Sequence, residues 1–163
     1  MTEFHTGGCQ CGAVRYSITG PLGGAGFCHC RMCQKAFGSL GAPLVAVDPK
    51  QLRWTRGEPA TFRSSPVVAR GFCRNCGTPL FMLEDDWGPI ELAIGSLDDP
   101  NAAVPDHVVG MESKLRWADA LPTLPAKRTE DDRTAEYLTK LRSLQHPDHD
   151  TADWPVRPQQ PQH

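Results

Sequence analysis

The hydrophobic and polar positions of the chain alternate in short stretches, which is the pattern of β-strands with one buried face. In the clearest stretch, residues 13–18, the side chains of Val14, Tyr16 and Ile18 fall on one side of the strand. Further stretches bounded by Gly, Pro, Asp or Ser predict strands over residues 40–47, 51–55, 60–63, 67–72, 79–83 and 90–97. Their length and spacing are typical of antiparallel structure, so the sequence predicts a mainly β fold.

Helical periodicity is confined to two places. One helical turn is expected over residues 31–37. A second helix is predicted by apolar residues that recur on one helical face, namely Tyr137, Leu138, Leu141 and Leu144. It should span residues 131–145, begin at Asp131 or Asp132, and dock on the sheet. The chain is thereby divided into a β-domain over residues 1–130 and a short C-terminal helix.

Residues 146–163 are polar and rich in Pro and Gln, a composition that does not favour packing into a core. We expect this segment to be a flexible tail, or to be held by a partner. Its histidines at positions 146, 149 and 163 are interpreted as solvent-exposed residues rather than metal ligands.

Composition limits the class of protein further. The 163 residues predict one domain, and 15 Gly with 15 Pro favour a turn-rich fold over a bundle of long helices. No apolar run approaches the roughly 20 residues that cross a bilayer, and no secretion signal is visible, so we expect a soluble, cytoplasmic protein. The net charge of −2 argues against a broad nucleic-acid-binding surface. A local basic patch remains possible at four arginines: Arg53, Arg56, Arg63 and Arg70.

Seven cysteines carry the candidate chemistry. They lie in three short groups: Cys9-x-Cys11, Cys28-His29-Cys30-x-x-Cys33 and Cys73-x-x-Cys76. The odd number, without an export signal, argues against a disulfide framework. Ligands one or two residues apart on a turn present several sulfurs to one metal ion, and tetrahedral zinc is the expected ion. A redox Cys-x-x-Cys motif is the weaker interpretation, because no βαβ pattern surrounds either candidate.

Seven sulfurs divide most simply into a set of four and a set of three. A four-cysteine cluster made from the first and last groups would enclose a structural zinc with Cys9, Cys11, Cys73 and Cys76. A three-cysteine cluster, formed by Cys28, Cys30 and Cys33, would leave one coordination position open, as catalytic zinc sites do. Spacing alone also permits the middle group to pair with Cys73-x-x-Cys76, and it permits His29 or a distant side chain to fill the fourth position.

Three runs around the cysteines, residues 8–16, 28–35 and 72–80, resemble one enzyme family. They are similar to sequences of the glutathione-dependent formaldehyde-activating enzymes, a family that also includes centromere protein V, and residues 107–122 resemble its C-terminal signature. The resemblance covers about residues 7–125. It implies an antiparallel fold of the β-tent kind with two zinc ions, a structural ion at the four-cysteine cluster and a catalytic ion at the three-cysteine cluster.

The chemistry of an open three-thiolate site agrees with the reaction that the resemblance implies. Three thiolates leave a bound Zn²⁺ with a net negative charge, which makes it a weak activator of water but a suitable site for a substrate thiol. The expected function is that of a zinc-dependent carbon–sulfur lyase. It would add a thiol such as glutathione to formaldehyde or another small aldehyde, or cleave the adduct.

Glutathione carries two carboxylates, so its site should offer cations near the three-cysteine cluster. Arg31 and Lys35 are the nearest in sequence, and Lys114 lies in the C-terminal motif of the resemblance. His29, flanked by two ligand positions, is one candidate for the proton donor. The alternative function is a zinc-stapled binding or scaffold module without catalysis, suggested by the resemblance to centromere protein V and by the extra C-terminal segment.

Overall fold

Ten strands form two sheets in the computed structural model, which describes residues 3–86 and 88–154. The three-stranded antiparallel sheet has the order β1-β2-β5 and consists of β1 (Phe4–Gly8), β2 (Arg15–Thr19) and β5 (Leu52–Arg56). The seven-stranded sheet has the order β10-β3-β4-β9-β8-β7-β6 and consists of β3 (Ala25–Cys28), β4 (Ala42–Val47), β6 (Ala60–Ser65), β7 (Val68–Phe72), β8 (Pro79–Glu84), β9 (Ile90–Ala93) and β10 (His107–Val109). Its neighbouring strands are antiparallel except β10 and β3, which are parallel. The predicted mainly β class is confirmed.

The helices of the described chain are short. They are α1 (Arg31–Phe37), α2 (Thr129–Asp132) and α3 (Ala135–Lys140), with 3₁₀ turns at Ile94–Ser96, Pro100–Ala102, Met111–Ser113 and Ala118–Thr123. Within residues 3–86 and 88–154, no helix has the length and apolar character that a membrane crossing requires.

Each stretch predicted as a strand contains one, although the stretch 90–97 leaves the sheet at Ala93 and continues as a 3₁₀ turn. The sequence does not predict β1, β3 or β10. Glycine interrupts the alternation in β1 and β3, and β10 is exposed along its whole length. These strands are specified by the partner beside them rather than by their own pattern, since β1 pairs with β2 and β10 with β3.

Alternate residues of the seven-stranded sheet face two different apolar clusters. In β4, Val45 and Val47 belong to the main core, which also contains the buried Tyr16 of the three-stranded sheet. Ala42 and Leu44 of the same strand belong to a smaller cluster with α1 residues. Because successive side chains of a strand point to opposite faces, α1 and the main core lie on opposite sides of this sheet.

The C-terminal helix is shorter than predicted and does not dock on the sheet. Arg133 is extended, and the Thr134 hydroxyl caps α3 by accepting a hydrogen bond from the Tyr137 amide at 3.2 Å. Tyr137 and Leu141 remain 49% and 52% exposed. The periodicity therefore identified a helix correctly, but the expectation that its apolar face packs on the sheet is wrong.

Residues 146–154, here called the C-terminal strap, return to the body of the protein. His146 is 3% exposed, and its ring contacts that of Trp154 with 4.8 Å between centroids. This contact differs from the expectation that the polar segment does not pack and that His146 is solvent-exposed, whereas His149 is exposed as expected. Residues 155–163, with His163, lie outside the described residues.

Candidate metal centres

The four-cysteine cluster (Cys9, Cys11, Cys73 and Cys76) is assembled from two turns that lie far apart in sequence. Cys9 and Cys11 follow β1, and Cys73 and Cys76 follow β7. The four sulfurs all lie within 4.8 Å of one another, with 3.6 Å between those of Cys9 and Cys11. All seven cysteines are free thiols. This cluster could therefore hold a metal ion enclosed by protein sulfurs alone.

Neutral hydrogen-bond donors face the sulfurs of the four-cysteine cluster. The Val14 amide donates to Cys9 Sγ at 3.3 Å, and the Thr78 hydroxyl lies 3.2 Å from Cys76 Sγ. Burial raises the pKa of Cys73 to about 11. Burial also opposes ionisation of Cys76, yet the hydroxyl and amide of Thr78 lower its pKa to about 6. A sulfur-only donor set supported in this way fits a four-coordinate structural zinc.

The C-terminal strap covers the turn of the first cysteine pair. The His146 amide donates to the Gln10 carbonyl at 2.8 Å, and the Trp154 indole N–H donates to the Cys11 carbonyl at 2.9 Å. Gly12 makes this approach possible, because its φ of +74° suits glycine and a Cβ at this position would collide with the rings of His146 and Trp154. The strap thus satisfies backbone carbonyls of the turn that carries Cys9 and Cys11.

A buried arginine ties the strap to β2. Arg15 is 3% exposed, and its guanidinium donates to Asp98 and to Asp150, each with one contact at 2.8 Å. Burial raises the pKa of Asp98, but hydrogen bonds from Arg15 and Thr6 outweigh this and hold the pKa below its ordinary value. Asp150 belongs to the strap, so this ion-pair network joins the C-terminal segment to the side of the fold that holds the four-cysteine cluster.

The three-cysteine cluster (Cys28, Cys30 and Cys33) comes from one loop between β3 and α1. Cys28 ends β3, Cys30 is the N-cap of α1, and Cys33 lies inside the helix with 1% exposure. The three sulfurs lie within 4.8 Å of one another, and the Cys33 amide donates to Cys30 Sγ at 3.4 Å. Gly110, with φ +69°, lets residues 107–113 approach this loop, since a Cβ there would lie 2.6 Å from the Cys30 nitrogen.

This geometry favours one of the alternatives that spacing left open. The middle group does not share a site with Cys73 and Cys76. Within residues 3–86 and 88–154, no fourth Cys, His, Asp or Glu joins the three-cysteine cluster. The ring of His29 instead contacts Phe27, with 4.8 Å between centroids, and its buried Nδ1 has no hydrogen-bond partner among these residues. The cluster could hold a metal ion through three sulfurs and leave one coordination position for another ligand.

Arg70 in β7 is a site residue that the sequence analysis missed. Its guanidinium is buried, and it donates from Nη2 to Cys33 Sγ at 3.5 Å and from Nε to the Ser64 hydroxyl at 3.0 Å. Nη1 has no hydrogen-bond partner in the described part of the chain. Burial raises the pKa of Cys33 to about 12, and the nearby Arg70 charge opposes this rise. The guanidinium therefore favours the thiolate form of Cys33.

The basic patch considered from the sequence is not formed. Arg53 and Arg56 belong to the three-stranded sheet, whereas Arg63 and Arg70 belong to the seven-stranded sheet. Arg70 is buried, and Arg56 donates to the Thr151 carbonyl of the strap. Four arginine charges on one exposed face are therefore absent from the described structure.

A cavity of about 460 Å³ lies beside the three-cysteine cluster, between α1 and the strands β6 and β7. Its lining consists of Arg31, Met32, Lys35, Ala36, Phe62, Ser64 and Arg70. Three of these side chains are cations, and three present apolar surface. Such a lining favours a ligand that carries an anionic group on a partly apolar body.

The three cations predicted to bind substrate fall in two places. Arg31 and Lys35 both line the cavity, on the exposed side of α1. Lys114 does not line it: this residue follows the 3₁₀ turn at Met111–Ser113, and its ammonium group forms an ion pair with Asp119. The structure therefore brings two of the three predicted cations to one cavity and replaces the third by Arg70.

Comparisons with known proteins agree with this arrangement. The family model described as glutathione-dependent formaldehyde-activating enzyme matches residues 4–112, a span that includes all seven cysteines and ends before Lys114. No curated protein sequence matches the chain. A crystal structure of a protein from Rhodobacter sphaeroides superimposes with a TM-score of 0.52 at 22% sequence identity, covering 64% of this chain and 99% of that one. This structural likeness concerns the fold alone.

Proposed function

The chain belongs to the family of glutathione-dependent formaldehyde-activating enzymes, and we propose on this premise that it is a zinc-dependent carbon–sulfur lyase. Family membership supports an activity on formaldehyde with glutathione. The proposed reaction joins a glutathione-like thiol to formaldehyde or another small aldehyde, or runs in the opposite direction. Because all seven cysteines are free thiols, we place the protein in a reducing compartment such as the cytoplasm.

One observation supports this proposal most strongly, namely that the sulfurs form two separate clusters, one with four donors and one with three. We propose that the four-cysteine cluster binds a structural zinc and that the three-cysteine cluster binds a catalytic zinc. When bound by three thiolates, a zinc ion supplies one open position, at which an incoming thiol loses its proton and stays nucleophilic. Cys28, Cys30 and Cys33 would hold that ion.

The chain's own cations would bind the rest of the thiol. Arg31 and Lys35 line the cavity beside the three-cysteine cluster, and each can donate to a carboxylate of glutathione. Phe62 and Met32 would contact the apolar parts of the molecule. Lys114 is also a proposed carboxylate-binding residue, which would require its ion pair with Asp119 to open.

The reaction balances without an external oxidant or reductant. The thiol sulfur forms a bond to the aldehyde carbon, and the π electrons of the carbonyl group move to its oxygen. The thiol loses one proton and the former carbonyl oxygen gains one, so no proton is left over. With formaldehyde, the product is a hydroxymethyl thioether. The reverse reaction breaks the same carbon–sulfur bond and restores the thiol and the aldehyde.

The reaction itself can be tested by exchange NMR with ¹³C-labelled formaldehyde and glutathione at equilibrium. This measurement is suited to the problem because thiols add to formaldehyde without a catalyst, so the exchange rate is compared with the rate in buffer. The zinc-loaded protein should raise the exchange rate, and Cys30→Ser should return it to the rate in buffer. An exchange rate that the wild-type protein leaves unchanged would refute the proposed activity.

The cavity can be tested with a double variant, Arg31→Ala with Lys35→Ala. Both side chains are exposed, so we expect a loss of about tenfold or less in kcat/KM for glutathione, because solvent and salt screen such charges. For 2-mercaptoethanol, which has no carboxylate, the double variant and the wild-type protein should react equally. An equal loss with both thiols would show that the two cations do not recognise carboxylates.

A zinc-stapled scaffold without catalysis is the second candidate function. It is favoured by the segment after the family match, where Trp117, Leu124 and Leu144 are more than half exposed. The two candidates differ in their response to thiol. X-ray absorption at the zinc edge should change on addition of glutathione if the three-cysteine cluster is catalytic, and it should stay unchanged if both ions are structural.

A further inference from the structure

The guanidinium of Arg70 is a buried cation without a carboxylate partner. Arg70 is 6% exposed, and no ion pair of the described chain includes it. Its three nitrogens contact one hydroxyl and one sulfur, those of Ser64 and Cys33, and Nη1 contacts no acceptor. A buried charge is costly unless an opposite charge compensates it. We therefore expect an anion near this guanidinium.

The three-cysteine cluster supplies that anion when it holds a divalent ion. Three thiolates contribute three negative charges and the ion contributes two positive charges, so the assembly has a formal charge of −1. A single guanidinium in contact with Cys33 neutralises it. A fourth, anionic ligand would bring the formal charge of the assembly to −2. The positive charge of Arg70 would then leave a total of −1. Arginine suits this task because it stays protonated when buried.

We propose that Arg70 is the positioning residue of the three-cysteine site: its buried guanidinium compensates the net negative charge of the loaded cluster and holds the sulfur of Cys33 in place by an N–H···S hydrogen bond. This inference rests on the proposed metal site and not on the proposed reaction with an aldehyde. It assigns to Arg70 a role toward the metal-binding thiolates, in addition to its place in the cavity wall.

The four-cysteine cluster provides the internal comparison for this role. The sulfur contacts there come from the Val14 amide and the Thr78 hydroxyl, which are neutral donors. Removal of the Arg70 charge should therefore weaken one of the two sites and leave the other unchanged. A merely structural role of Arg70 in β7 would instead affect both sites together through the stability of the fold.

The experiment compares Arg70→Met, Arg70→Lys and a control variant in the full chain. The control is Arg63→Met, because Arg63 lies in the adjacent strand β6, is half exposed and pairs only with surface groups. Zinc affinities of both sites are measured by competition with a chromophoric chelator. In Arg70→Met one ion should bind about 10–100-fold more weakly, as is typical when a hydrogen-bond partner of a ligand is removed, and the other ion should bind as in the wild type.

Two further measurements distinguish a positioning role of Arg70 from a purely structural one. Arg70→Lys should recover part of the lost affinity, because lysine keeps the charge but lacks the planar arrangement of donors. With Co²⁺ as the probe, the sulfur-to-metal charge-transfer band of the weakened site should shift in Arg70→Met, since Cys33 loses its hydrogen bond. Arg63→Met should match the wild type in both measurements.

Each outcome decides the inference. Unchanged affinity and an unchanged cobalt spectrum at both sites of Arg70→Met would overturn it, and so would equal losses at both sites. If Arg70→Met does not fold, Arg70→Lys is used in its place. Weaker zinc binding at one site of Arg70→Lys supports the inference, and wild-type zinc binding at both sites contradicts it. A wild-type protein that binds only one ion would refute the proposed metal site, and with it both the proposed function and this inference. Two bound ions without catalysed exchange would refute the proposed reaction alone, so the failures are distinguishable.

Discussion

The two cysteine clusters use the same ligand atom in different surroundings. The four-cysteine cluster joins turns from both sheets, its sulfurs receive neutral hydrogen bonds, and the C-terminal strap covers one of its turns. The three-cysteine cluster comes from a single loop, contacts a buried guanidinium and borders a cavity with three cations. The number of sulfurs is thus only one of the differences between the sites.

This contrast teaches that surroundings distinguish a closed site from an accessible one. At the four-cysteine cluster the sulfurs themselves bring together two turns that lie far apart in sequence, and the C-terminal strap covers one of these turns, as expected of a site that stabilises the fold. At the three-cysteine cluster all three sulfurs come from one loop, and cationic side chains line the open space beside them, as expected of a site that receives a ligand. Variants at the two clusters should therefore have different effects.

The largest difference is expected between Cys73→Ser and Cys30→Ser. Cys73→Ser should abolish folding or lower the stability strongly, because a structural zinc contributes on the order of 10 kcal/mol in small zinc domains. Cys30→Ser should remain folded and lose about one zinc ion. Thermal melts and zinc content measured on the same samples test both statements. Two variants with the same melting temperature would remove the distinction between a closed and an open cluster.

A smaller loss of stability is expected for Asp98→Asn. Asp98 lies on the side of the fold that holds the four-cysteine cluster. The variant leaves the buried Arg15 with Asp150 as its remaining ionic partner, so we expect a loss of about 2 kcal/mol in the free energy of unfolding at pH 7. Asp98 has a lowered pKa in the folded state, so its contribution is present above about pH 4 and is lost as pH falls through the folded value.

Denaturant unfolding of zinc-saturated protein between pH 8 and pH 5 measures this effect. The difference between wild type and Asp98→Asn should be constant over that range. A difference that changes within this range would implicate the buried His146, whose pKa is lowered by burial, in place of Asp98. Asp85→Asn, which removes an exposed ion pair with Arg63, is the control and should leave the free energy of unfolding close to the wild-type value, because solvent screens this pair.

The smallest effect is expected for Trp154→Phe in the strap. The indole N–H is lost and the ring is kept, so the loss of stability should be about 1 kcal/mol. Zinc should leave the four-cysteine cluster faster when a chelator is added, while release from the three-cysteine cluster stays unchanged. Trp117→Phe is the matched control, because Trp117 is 54% exposed. Faster release from both clusters would show that the strap does not act on one site selectively.

The ligand groups and most strands could be predicted from the sequence because their signals are local. Cysteine spacing identifies three short ligand groups, although the structure is needed to show which groups share a site. The alternating apolar residues of β2 and β4 include Tyr16 and Ile18, and Val45 and Val47, which all lie in the main core. The strands β1 and β10 lack such a signal, since glycines or exposed residues form them and a neighbouring strand holds them. Helix α3 shows the opposite case, in which a clear helical pattern leaves Tyr137 and Leu141 about half exposed.

The role of Arg70 could not be predicted because it depends on contacts between distant residues. The sequence of the strand Val68–Phe72 does not indicate that the guanidinium of Arg70 donates to Ser64 and Cys33. One signal was present: Val68 and Arg70 are two residues apart in a strand, so both side chains point to the same face, and Val68 is buried. The strap offered a similar hint, since a tryptophan is unusual in a polar, Pro-rich segment.

The contact between the strap and Cys11 has a consequence for biosynthesis. During translation, the turn of Cys9 and Cys11 and the turn of Cys76 leave the ribosome long before Trp154, so the nascent chain can capture its first ion before the indole reaches its place. A newly made protein should therefore pass through a loaded but unsealed form, and in that interval cellular chelators compete best for the metal.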